Sequence, residues 1–303
     1  MNKLHTINAE ELQNRTYEPT HFLVDELIPE GLHILAGAPK IGKSWLALWL
    51  CLCVSQGQPL WNFATTQGEV LYLSLEDSFQ RIQTRLFDLT EDAPPTLHFA
   101  IMADTLKHGL EQQIEQFLTE HPDTKLVVID TLQRVRGTGS DSNLYANDYQ
   151  DIGILKQLAD KRHIAILLIH HLRKSKAEDP FEQISGSAGI TGAVDNSYVL
   201  TWMNRSEGLA FLHMQGRDVE YNAFYLMQDG NVWEYIGETG DQSEQDEATL
   251  ADFVRRIKSV VLKGGGWKGT ASELLLVTGC HSYSINYVCL LYTSPSPRDA
   301  HES

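Results

Sequence analysis

The eight residues Gly37-Ala38-Pro39-Lys40-Ile41-Gly42-Lys43-Ser44 form an unbroken G-x-x-x-x-G-K-S. The spacing has a physical purpose. Two glycines let the backbone curl until successive N–H groups face one concavity, and the helix that follows adds the positive end of its dipole. Lys43 brings a full charge to the β- and γ-phosphates of a nucleoside triphosphate, and the Ser44 hydroxyl is placed to bind Mg²⁺. The cradle runs from Gly37 through Trp45. Such a loop holds nucleotide; by itself it turns nothing over.

Turnover needs a metal anchor, a group that positions water and a sensor of the γ-phosphate. Asp130 closes the run "KLVVID" and suits the outer sphere of Mg²⁺ through water. Glu76 closes "VLYLSLE" as a candidate for the water, with Asp77 beside it as the competing acid. His170 and His171 end "IAILLI"; strand alternation sends only one of them to the site, and His171 is favoured as the sensor. Arg217, in "HMQGRD", follows a strand and could reach the γ-phosphate of a neighbouring subunit, with Arg205 as the competing finger. All of these residues sit at or just past strand ends, and open parallel sheets bind ligands at the carboxyl ends of their strands.

The elements that must position these groups are legible as hydrophobic periods. "GLHILA" reads as a buried strand, and "SWLALWLCLCV" as a helix apolar on nearly every face. That helix falls short of the ~20 apolar residues a bilayer span requires, so it belongs against a sheet. Further on come the strand 68–76, a helix over 79–89 capped by Ser78, a short strand at 97–101 and a helix over 106–121. The strand 125–130, a helix over 147–162 and the strand 164–171 complete the alternation. Strand and helix in turn predict crossover units and a mostly parallel, twisted sheet with helices on both faces. From 197 the texture changes to short strands, with Asp229-Gly230 as a hairpin signal, and these are expected to add antiparallel strands at the C-terminal side.

Residues 1–237 therefore read as one α/β core. Residues 238–252 carry six acids and no base and read as a solvated linker. Residues 253–288 suggest two helices, and "GWKGTASELLLVTG" looks like the opening of an incomplete winged-helix module. The last stretch, "CLLYTSPSPRD", matches the reading-frame translation of a common transposon-type sequencing adapter. Residues 289–303 are accordingly read as a non-biological tail, and the natural protein is expected to continue beyond Val288.

Composition narrows the partners. The chain has 303 residues and a formal net charge of −16, so it exerts no long-range pull on nucleic acid or on an anionic membrane. Its four cysteines imply no disulfide framework and "MNKLHTINAEEL" holds no secretory core, so a cytoplasmic protein with no membrane partner is expected. Residues 1–237 hold 18 Lys+Arg against 31 Asp+Glu, a balance of −13. Yet Arg134 and Arg136 follow Asp130, and Arg173, Lys174 and Lys176 follow His171. Two loops beside the nucleotide thus concentrate positive charge, enough to touch the backbone of single-stranded DNA without reading bases.

The stretches "GAPKIGKSWLAL", "LYLSLEDS", "VVIDTLQRVRG", "LLIHHLRK", "DPFEQISGSAGITGAVD" and "GRD", in this order, resemble the RepA-like branch of RecA/DnaB-type ATPases. These are AAA family ATPases common on plasmids and phages, and the resemblance spans roughly residues 18–236. It implies a RecA-like core, a homo-oligomer (a hexameric ring above all), and ATP with Mg²⁺ at subunit interfaces. It implies single-stranded DNA in the two central loops, possible replication proteins as partners, and the roles above for Lys43, Glu76, Asp130, His171 and Arg217. A glutamate at the place of Glu76 is the water-activating base of RecA-like motors and is not expected in the kinase and small-GTPase branch. Helicases of the DnaB type often carry Lys two residues before the finger; here that residue is Gln215. The expected activity is an ATP-driven motor on single-stranded DNA, of the plasmid or phage replicative helicase kind. The alternatives are a recombination ATPase that does not unwind, and a slow nucleotide switch that binds a partner protein.

Overall fold

The computed structural model describes residues 6–17, 19–136, 144–173, 177–184 and 188–238, with Arg256, Leu274, Val277 and Thr278 beyond them. The linker from 239, the winged-helix-like segment and the 289–303 tail lie outside these residues, apart from those four positions.

A nine-stranded sheet organises the chain. A short helix α1 (Ala9–Asn14) and a small ribbon, β1 (Phe22–Val24) with β2 (Ile28–Pro29), precede it. The sheet's first half comprises β3 (Gly31–Gly37), β4 (Glu69–Ser74), β5 (Leu97–Ala100), β6 (Thr124–Asp130) and β7 (Ala165–His171). Between them run α2 (Lys43–Gln56), α3 (Phe79–Leu89), α4 (Leu110–Glu120), α5 (Leu132–Val135) and α6 (Leu144–Arg162). Then come α7 (Ala188–Ala193), β8 (Asn196–Asn204), β9 (Leu209–Gly216), β10 (Asn222–Asp229) and β11 (Val232–Glu238). The order across the sheet is β11-β10-β9-β8-β3-β7-β6-β4-β5.

The continuous apolar runs of the inner strands follow from burial on both faces. In β7, Leu167 and Ile169 join the core under α2, while Ile166 and Leu168 join the opposite core with α4 and α6. β6 divides in the same way, Leu126 and Val128 against Val127 and Ile129. Helix α2 is apolar all round because it is covered all round. One side lies on the sheet, and Trp61, Leu27 and Ile28 close over another. Each fully buried leucine of this kind stabilises the fold by about 2 kcal/mol relative to an exposed one.

Two of the departures from the sequence expectation have a plain physical cause. Helix α4 begins at Leu110, because Gly109 has φ +124, a conformation no helix interior accepts. Strand β8 pairs parallel to β3, since the short helix α7 carries the chain across from β7; in this sheet the antiparallel pairings are β8–β9, β9–β10 and β10–β11. The Gly230-Asn231 turn between Asp229 and Val232 is the expected hairpin.

Register decides function. Gly37 pairs with His171 and Leu200, Ser74 pairs with Asp130, and Asp130 pairs with Ile169. The carboxyl ends of four adjacent strands therefore stop on one line, immediately before α2.

Candidate nucleotide-binding site

The turn from Gly37 to Lys43 lies over a cleft of about 590 Å³, lined among others by Lys43, Ser44, Glu76, Asp130, His171 and Gln228. Gly42 has φ +100, and a Cβ there would meet Trp233 Nε1 at 2.9 Å. Trp233 is fully buried and donates to Gly42 O (3.4 Å), while its own carbonyl accepts from Trp61 Nε1 (2.6 Å). A tryptophan from the antiparallel strands thus holds the turn from behind. Lys40 also adopts a left-handed backbone, φ +63, unusual for a non-glycine.

Lys43 Nζ donates to Gly37 O (2.8 Å) and Ala38 O (3.0 Å) and stands 3.4 Å from His171 Nδ1. Burial pushes the amine down to about 8, against the opposing charges of Asp130 and Glu76. Its donors are spent on loop carbonyls that a phosphate would replace. Asp130 is buried at the end of β6 and accepts from Ser44 and from Tyr72 Oη (2.8 Å). Burial raises its carboxyl above the ordinary range; those two hydrogen bonds oppose the rise and nearby Glu76 and Asp77 reinforce it. The set that Ser44 and Asp130 offer is all oxygen, which fits Mg²⁺.

Glu76 lies two residues beyond β4 and is 47 % exposed; Thr131 Oγ1 donates to it (3.2 Å) and Arg134 Nε lies at 3.6 Å. Asp77, 9 % exposed, is taken up by Arg81 (2.9 Å) and Arg85 (2.7 Å). The two neighbouring acids thus differ in availability. Alternation places His171 on the cleft side and buries His170, which does not line the cleft. Burial, then the charge of Lys43, pulls His171 below the usual imidazole range.

Arg217 is not brought to this cleft. Its amide donates to Asp195 O (3.0 Å), and its guanidinium, 64 % exposed, pairs with Asp195 Oδ1 (3.3 Å). Asp195 in turn donates its amide to Leu32 O, at the start of β3. Five residues of strand then separate that point from Gly37, roughly 17 Å. Arg205, in the turn after β8, stands at the Gly37 end of the sheet instead. Of the basic loops, Arg134 lies on α5 and Arg136 follows it, whereas Arg173 is tied to Glu182 and Gln183 by backbone carbonyls. Lys174, Lys176 and residues 137–143 and 185–187 lie outside the described residues.

Sequence reasoning missed Tyr72, Arg81, Arg85, Gln228 and Trp233. Alternation along "VLYLS" was the available signal for Tyr72, since it shares a face with Val70 and Ser74. Arg85 packs over Trp45, 5.4 Å from the ring centre, at the edge of the cleft. Among the described residues, no helix is long and apolar enough to cross a membrane.

A glycine cradle at the end of β3, a lysine inside it and an acid at the end of β6, with β7 lying between the two strands, define a P-loop nucleotide fold of the RecA-like type. The chain belongs to the AAA domain family, whose model matches residues 3–177. It is 28% identical over 178 residues to the DNA repair protein RadA of Streptococcus pneumoniae (strain ATCC BAA-255 / R6), covering 56% of this chain and 36% of that protein. The RadA of Synechocystis sp. (strain ATCC 27184 / PCC 6803 / Kazusa) is 23% identical over 167 residues, 50% of this chain and 30% of that one. The chain thus spans about a third of the length of these curated relatives. In fold it matches a solved ATPase domain (TM-score 0.56, 14% identity, 67% of this chain and 84% of that one). It also matches a DnaB-like replicative helicase solved for its interactions with primase (TM-score 0.56, 14% identity, 67% and 57%).

Proposed function

We propose that this chain hydrolyses ATP as a homo-oligomeric motor on single-stranded DNA, of the replicative helicase kind found on plasmids and phages, with a hexameric ring as its working form. One observation carries the reading: Lys43, Ser44, Glu76, Asp130 and His171 share one cleft, while the exposed Arg217 guanidinium stands at the far end of the same sheet. The cleft's own arginines, Arg81 and Arg85, are taken up by Asp77, so an arginine for the γ-phosphate would come from a second copy.

In this reading the turn amides and Lys43 hold the β- and γ-phosphates. Ser44, and Asp130 through water, would hold Mg²⁺, which when bound supplies neutralising charge for phosphate transfer. Glu76 accepts the proton of the attacking water, steadied by Thr131. His171 bonds the γ-phosphate and loses that partner when it leaves. Arg134, beside Glu76, ties the water-handling group to the loop expected to meet DNA. ATP turnover measured against a titration of single-stranded DNA, with particle mass followed in parallel, tests the proposal. A several-fold rise with a multi-subunit mass is expected; a flat response points to a nucleotide-dependent switch.

A second reading rests on the RadA matches. A repair-type ATPase of the same fold would show the same DNA stimulation without strand separation, and a duplex-displacement assay separates the two.

A further inference from the structure

Glu69, His98 and His121 come from three elements and meet at the amino end of the sheet, away from the nucleotide cleft. Glu69 opens β4, and its alternation with Leu71 and Leu73 turns it toward α4. The register with β6 shifts between Glu69 and Val70, where β4 advances one residue and β6 two, so the extra residue is Lys125 of β6. Gly68 permits the close approach this needs: a Cβ there would sit 2.2 Å from Lys125 Cγ. His98, on β5, lies on the same face opposite Leu71. His121 ends α4, fixed by its amide to Phe117 O (2.8 Å) and by Thr124 Oγ1 donating to its carbonyl (2.7 Å).

The convergence is close. His98 Nε2 and His121 Nδ1 approach the same carboxylate oxygen, Oε2, at 2.8 and 2.6 Å, and the ligand atoms all lie within 4.8 Å of one another. Phe117 stacks on His121 (4.3 Å between centres) and meets His98 edge-on (5.2 Å), so one apolar wall sets both rings. His98 faces the carboxylate with Nε2 and His121 with Nδ1, and in the neutral tautomer that carries its proton on the other nitrogen each of these atoms offers a lone pair to a metal. The cluster is partly open to solvent, which leaves an entry path.

We propose that Glu69, His98 and His121 bind a divalent cation of the zinc type. Two imidazoles and one carboxylate are a borderline-soft set that prefers zinc and its first-row neighbours over Mg²⁺ or Ca²⁺. Three protein ligands leave a fourth tetrahedral position for water or for a group from another molecule. The six-residue strand β4 carries Glu69 at one end and Ser74 at the other, roughly 17 Å apart, so binding here is independent of nucleotide and of the proposed motor activity.

The test is calorimetric titration of Zn²⁺ into chelator-stripped full-length protein, repeated with Co²⁺ as a spectroscopic probe. One tight equivalent is expected in the wild type, weakened by more than ~100-fold in the His98→Ala/His121→Ala double variant, with the Co²⁺ absorption lost. Zn²⁺ should raise the melting temperature of the wild type and not of the variant. Equal Zn²⁺ binding by the two proteins, or no tight equivalent in the wild type, overturns the assignment. The Glu69→Gln variant keeps a hydrogen-bond acceptor at this position and guards against a folding defect in the double variant. It too should bind Zn²⁺ more weakly, and wild-type binding by it counts against the site.

Discussion

The two ends of the sheet treat their polar side chains differently. At the carboxyl ends, Glu76 opens onto a cleft and Lys43 is satisfied by carbonyls of its own turn, with His171 Nδ1 beside it. At the amino ends, polar groups consume one another. Asp195 accepts from Leu32 N–H (2.9 Å), Lys156 Nζ (2.8 Å) and Arg217, and buried His33 donates to Pro29 O and is approached by Asn196 Nδ2. The carboxyl end is built to be completed by a nucleotide, whereas the amino end around Asp195 is built to lock strands, α6 and the Arg217 turn together. Arg217 belongs to the locked end and still presents an exposed guanidinium, which the proposed role toward a neighbouring copy requires.

The contrast breaks most sharply at Arg217. Replacing it with alanine should lower turnover by ~10³–10⁵-fold, the range measured for arginine fingers. Mixing Arg217→Ala with Lys43→Ala subunits should restore part of the rate, because intact sites form between the two. No recovery at any ratio removes Arg217 from the site and leaves Arg205, which stands at the nucleotide end, as the candidate.

Asp195→Asn probes the lock itself. It removes the buried partner of Lys156, which keeps its ion pair with Asp160, and should destabilise the fold by about 2 kcal/mol in chemical denaturation. A loss near zero would mean the amino end is not held by this acid.

The pH dependence of stability sharpens the same point. Burial holds His33 down to about 4, against the Pro29 hydrogen bond and the Asp195 charge. The unfolded imidazole, near 6.5, binds its proton first as pH falls. The contribution is therefore complete above 6.5 and lost between 6.5 and about 4, a swing of about 3 kcal/mol at most. Burial depresses His213 in the same direction, also to about 4. Unfolding free energy measured across this range should fall toward acid, and His33→Gln should flatten the fall.

Much of the nucleotide end was legible because its chemistry is written locally. The glycine turn, the runs that end in Asp130 and His171, and the alternation that separates His171 from His170 are all readable within a few residues. The rest depends on register. Tyr72 reaches Asp130 from the neighbouring strand, and Trp233 reaches Gly42 from 191 residues away. Glu69 meets His98 and His121 at separations of 29 and 52 with no motif between them. Strand direction was equally hidden: nothing in "SYVLTW" says whether the strand runs with β3 or against it. The β3–α2 turn wears its chemistry in sequence; the amino end acquires its chemistry only through pairing.

The central claim is that the carboxyl ends of the strands form a working hydrolytic site with Glu76 at the water. Nucleotide affinity and turnover of Glu76→Gln, measured side by side with wild type, test it most directly. Affinity should be unchanged while turnover falls by ~10²–10⁴-fold. Turnover that survives the substitution, or affinity that is lost with it, would contradict the assignment.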